Sequence, residues 1–194
     1  MRKLFGMTCL FALVVATGLG AQEKEATIKE SDFYPLKKDS TWTYKVGSNS
    51  IVMKVTEVKA DGAKLETIVN GKSVASEQIQ VREDGIYRTA INGQKPEKPV
   101  MILKLPPAKD AEWEVDTKIQ SQAIKGKFKI SEEEITVPAG KYKTIVVKGD
   151  NFDISNMATK VTYYFAEKVG IVKLNFELGG TKADLELEKY EAGK

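Results

Sequence analysis

Apolar and polar residues alternate along most of this chain. Trp42, Tyr44 and Val46 are separated by Thr43 and Lys45, the two-residue period of a strand with one buried face. The same period recurs in Ile51/Met53/Val55, Trp113/Val115 and Phe128/Ile130. It returns in Val161/Tyr163/Phe165, Val172/Leu174/Phe176/Leu178 and Ala183/Leu185/Leu187, with Lys, Glu, Asp or Thr at many intervening positions. Each segment predicts a strand with one wet face. Turn chemistry falls between them: Asp61-Gly62, Asn70-Gly71, Asp84-Gly85, Asn92-Gly93 and Gly179-Gly180 are pairs that accept the backbone of a tight hairpin. Their spacing, mostly about ten residues, is that of an antiparallel sandwich, barrel or half-barrel.

The middle of the chain is less regular. Pro96, Pro99, Pro106 and Pro107 lack the ladder donor and are excluded from a sheet centre. Between them, Val100 to Leu105 is broken only by Lys104 and predicts a strand buried on both faces. A boundary near residues 95–110 would leave neither half with a core of its own, so 33–191 is predicted as a single all-β domain. No segment carries a clear helical period, and Gln78–Asp84 reads as well as a strand.

Residues 1–21 read as a cleaved signal peptide: Arg2 and Lys3, then an apolar run from Leu4 to Leu19, then Gly20 and Ala21. The alternative, a membrane anchor, is disfavoured by Gly6, Gly18 and Gly20 in a run at the short end of the roughly 17–25 residues a span needs. Cys9 lies too early to be a lipidation site. Cleavage would leave a chain with no thiol and no membrane span, and the loss of Arg2 and Lys3 takes the formal charge from +3 to +1. Residues 22–32 are charged, with no apolar face, and predict a flexible leader.

Composition then removes chemistry. With no His and one Cys, catalytic triads, Cys–His dyads and imidazole or thiolate zinc sites are excluded. Glu132-Glu133-Glu134 is the densest acidic cluster and reads as a solvated bend rather than an acid–base pair. Gly149–Asn156 is rich in oxygen donors, but Phe152 interrupts the ligand spacing calcium needs, so it reads as a polar loop. The lysines at 37–38, 125–129 and 141–143 fit solvent faces, and a near-neutral chain gives no reason to expect nucleic acid. No metal and no cofactor is expected. The aromatics Trp42, Tyr44, Trp113, Phe128, Tyr163, Phe165 and Phe176 fall at inward strand positions. They predict either a packed core or the lining of an apolar ligand site.

Three stretches carry a family resemblance: Phe33 to Tyr44, Glu134 to Tyr142, and Thr162 to Lys173. Together they resemble bacterial exported proteins of the domain of unknown function 3108 family, which share a "Pro-Leu-x-x-Gly-x-x-Trp-x-Tyr" opening, a "Val-Pro-Ala-Gly" turn and a "Tyr-Phe-Ala-Pro-Gly-Val-Gly" hairpin. Val137-Pro138-Ala139-Gly140 is the best match; Asp39 and Glu167-Lys168 depart from the pattern. The resemblance implies an antiparallel β half-barrel or barrel-like sheet, similar to periplasmic lipoprotein carriers, and no activity. Pro138 and Gly140 are themselves explained by a turn, with Gly140 at positive φ.

The expectations are therefore an all-β antiparallel half-barrel or barrel-like sheet of about ten to twelve strands, exported to the periplasm or outside the cell. Its function is expected to be non-catalytic binding of a lipid or other apolar ligand or segment. The alternative is an interaction module presenting a sheet edge to an envelope protein. A carboxylate-based hydrolase ranks behind both.

Overall fold

The computed structural model describes residues 31–194. The signal peptide and nearly all of the leader lie outside the described residues. Twelve strands form one antiparallel sheet: β1 (Thr41–Val46), β2 (Asn49–Lys59), β3 (Gly62–Val69), β4 (Lys72–Val81), β5 (Gly85–Ile91), β6 (Val100–Lys104), β7 (Glu112–Ile119), β8 (Gln122–Val137), β9 (Gly140–Ile154), β10 (Met157–Ala166), β11 (Gly170–Leu178) and β12 (Thr181–Glu191). The order β6-β5-β4-β3-β2-β1-β12-β11-β10-β9-β8-β7 is two hairpin meanders joined through β1 and β12. The sheet curls into a nearly closed all-β barrel with one unsealed seam, between β6 and β7.

Local chemistry accounts for the hairpins. Asn70/Gly71, Asn92/Gly93 and Gly179/Gly180 all have positive φ at both positions, the hand that matches strand twist. Ser155/Asn156 does the same. That pair corrects the loop expected at Gly149–Asn156: β9 runs on to Ile154, and Phe152 is buried rather than solvated. Its ring lies over Gly126 of β8 and Gly149, where any Cβ would collide with it. Glu132, Glu133 and Glu134 are exposed as expected, but inside the continuous strand β8 rather than on a bend. Register shifts in eight of the ladders, such as Thr43/Tyr44 and Tyr164/Phe165, supply the curvature that bends the sheet round.

Val100–Lys104 is an edge strand, not a central one. Ile102 and Leu103 are fully buried, but Val100 and Met101 are only half-buried. Opposite, β7 points Val115, Thr117 and Ile119 inward and Glu112, Glu114, Asp116 and Lys118 outward. Side chains do much of the joining at the seam. Thr117 Oγ1 accepts from Lys98 N and donates to Lys98 O, both at 2.9 Å, and Trp113 Nε1 donates to Met101 O at 3.0 Å. One backbone bond joins them, Glu97 N to Lys118 O.

The two ends of the barrel differ. Residues Asp32 to Ser40 fold over the end that carries the turns after β2, β4, β8 and β10. Tyr34 and Leu36 are buried there, Lys168 N donates to Asp32 O, and Asp39 N donates to Val55 O. The β8–β9 tip closes over the same end, with Ala139 N donating to Leu187 O. The other end carries the turns after β1, β3, β5, β7, β9 and β11; the β5–β6 connection runs along its seam side, with Pro96 buried and Glu97 and Lys98 bonded to β7, and the inward-facing Ile51, Leu178 and Leu185 stay half-buried there.

Candidate functional site

The predicted aromatics are brought together, but not around one space. A chain of ring contacts runs through the interior: Tyr190 to Trp42, Tyr34, Phe165, Tyr163 and Phe128, then to Trp113 and Phe152, with centroids 4.6 to 6.3 Å apart. Trp42, Tyr44, Phe128, Tyr163 and Phe165 are buried. Trp42 Nε1 donates to Val169 O at 2.6 Å and Tyr44 OH to Ile171 O at 2.7 Å, so both rings bury their bodies with their polar tips satisfied. Trp113 is half-buried at the seam, and Phe176 is half-buried near the uncovered end.

The inner face changes character along the barrel axis. Phe176 pairs with Val161 and Leu174 with Tyr163, so both point inward, yet both are only half-buried. Leu178, Leu185, Ile51 and Thr67 share that phase and that partial exposure. Further round the ring, on β10, β9 and β7, the inward-facing Thr159, Val161, Phe152, Thr117 and Ile119 are buried. The uncovered end is thus a mouth with one well-packed wall and one accessible apolar wall.

At the floor of this mouth lies a polar cluster. Glu77 pairs with Leu65 on β3, which is fully buried, and Arg88 pairs with Ile79 on β4, so both charged side chains point inward. Arg88 Nε donates to Glu77 Oε2 at 2.5 Å, and Nη1 reaches across the barrel to Tyr163 OH at 3.2 Å. The two side chains are 19% and 17% exposed. Burial pulls the Arg88 guanidinium down, but Glu77 and Tyr163 outweigh it and hold it above its ordinary value. Burial, and then the nearby Glu77 charge, push the Tyr34 and Tyr44 phenols well up, so both stay neutral. Sequence reasoning missed Glu77 and Arg88. The available signal was phase: Glu77-x-Ile79 and Ile86-x-Arg88 each put a charge on the apolar face, and Arg88 is one of only three arginines, with Arg2 and Arg82, in a Lys-rich chain.

A second depression, about 290 Å³, lies mainly on the outer face across β9 to β12. Its charges answer one another: Lys160 and Lys182 flank Glu177 at 3.9 Å, and Asn175 donates to Asp184 at 2.5 Å. That balance leaves little field to attract a charged ligand. Among the described residues there is no cluster of acidic or other metal-binding side chains able to hold a metal ion.

Fold and site together define a nearly closed, twelve-stranded antiparallel barrel, plugged at one end. A solved structure named a "putative lipoprotein", from Parabacteroides distasonis, has a similar fold: TM-score 0.53 at 14% identity, over 82% of this chain and 98% of that one. A structure named a "putative exported protein with YmcC-like fold", from Bacteroides fragilis, superposes at TM-score 0.45, also at 14% identity over 82% and 98% of the two chains. The fold likeness rests on the first of these. No protein-family model matches the sequence, and neither does any curated protein.

Proposed function

We propose that this is an exported, non-catalytic barrel that binds a lipid or other apolar ligand in the cell envelope, periplasmic or extracellular. The observation that carries the reading is the accessible apolar wall of the mouth, Leu174, Phe176, Leu178 and Leu185. Inward-facing side chains of a barrel are normally covered by the opposite wall, and here one wall stays partly wet. Export is supported by the signal-like residues 1–21 and by a fold neighbour named a "putative lipoprotein". Kinship with the domain of unknown function 3108 proteins belongs to the same reading and rests on the three matching stretches. The exchange of charged residues on the outer faces of β7 and β8, Glu112 with Lys127 and Asp116 with Lys125, suits water rather than a lipid-facing strand.

Titration with an environment-sensitive apolar dye, followed by displacement with a long-chain lipid, tests the proposal. Saturable uptake and competitive release are expected. If uptake does not saturate, the second reading takes over: an envelope interaction module that offers a sheet edge. The β6–β7 seam favours that alternative, because side chains rather than a full ladder join the two edge strands there.

A further inference from the structure

Resting on that binding reading, we propose that Arg88 is the head-group anchor of the mouth, and that the ligand is an acyl chain ending in a carboxylate. A buried ion pair on an otherwise apolar face is commonly less stabilising than apolar side chains of the same volume, so packing alone does not explain Glu77 and Arg88. The donor inventory is more specific. A guanidinium has five N–H groups. Arg88 gives one from Nε to Glu77 and one from Nη1 to Tyr163, and among the described residues no further acceptor takes the rest. No described side-chain nitrogen is both fully buried and unpartnered, so Nη2 keeps some contact with solvent.

What remains is one N–H on Nη1 and two on Nη2, the end of the fork that takes a carboxylate through two parallel bonds. Glu77 and Tyr163 hold the guanidinium plane still. Glu77 also offsets the charge when the site is unliganded, which keeps the cation tolerable among apolar neighbours. From this anchor the accessible wall of Leu174, Phe176, Leu178 and Leu185 leads outward to the uncovered end. A fatty acid therefore fits with its carboxylate at the floor and its chain along that wall. A cationic head would meet Arg88 directly, and a wholly apolar ligand would leave the Nη2 donors without an acceptor.

The test compares palmitate with hexadecanol, which has the same chain length and no charge, by displacement of a bound apolar dye. The wild-type protein should prefer the acid by about tenfold or more, the scale of a charge-assisted hydrogen bond. In Arg88→Met that preference should fall to about one. Because a single change leaves Glu77 unpaired, the double variant Glu77→Gln/Arg88→Gln is measured beside it and should lose the preference too. Equal affinity for acid and alcohol in the wild type, or a preference that survives both variants, overturns the anchor while the binding reading stands. Failure of both probes to bind the wild type overturns the anchor and the binding reading together.

Discussion

The two ends of this barrel are built from the same kind of strand but finished differently. At the plugged end, Tyr34 packs edge-on against Trp42 with centroids 5.5 Å apart, Tyr190 stacks on the other side, and Leu36 and Leu187 fill what is left. At the mouth, side chains of the same inward phase, Leu178 and Leu185 among them, stop short of full burial. Alternation sets which way a side chain points. Whether that direction ends in core or in an accessible wall depends on what crosses the end of the barrel. Stability should therefore be concentrated at one end and binding at the other.

The hardest blow to that contrast is Trp42→Ala. Removing a fully buried indole whose Nε1 is bonded to Val169 O should cost about 3–5 kcal/mol. A denaturant titration that finds less than about 1 kcal/mol would show that the plugged end does not hold the fold. Gly140→Val probes the tip that closes over the same end. Gly140 has φ +136, so a β-branched residue should destabilise by about 1 kcal/mol or more, seen as a lowered chemical-denaturation midpoint. Leu178→Ser, at the mouth, should give the smallest shift, under about 1 kcal/mol, because its side chain is already partly wet. The same variant should weaken uptake of the apolar dye. Equal stability losses for Leu178→Ser and Trp42→Ala would erase the distinction between the ends.

Strand count, curvature and hairpin positions were legible because period-two alternation and Asn-Gly or Gly-Gly pairs act locally. The register of Gly149–Asn156 was not. Its polar residues look like loop until Phe152 finds two glycines on neighbouring positions of the sheet, a fact about pairing rather than about the segment. The same holds for Tyr34 and Leu36, whose burial depends on the plugged end of a barrel assembled from residues far along the chain. Val100–Lys104 read as a buried strand because apolar content reports burial but not whether a strand has a second neighbour. The candidate site was least legible. Phe176 was singled out, but Glu77 and Arg88 were not, since a charge at an inward phase has meaning only once Tyr163 lies across from it.

Every ladder in the sheet except one joins strands that follow each other in sequence. The exception pairs Thr41 with Glu191 and Tyr44 with Leu187, while the seam lies between β6 and β7, which are consecutive. The chain's cut and the sheet's cut are thus at opposite sides of the ring. Each meander can form from near neighbours, but β1 meets β12 only after a loop of nearly the whole domain has been closed, the slow kind of contact. A circular permutant that links β12 to β1 and opens the chain between β6 and β7 would turn all the ladders into neighbours, and should fold faster to the same barrel.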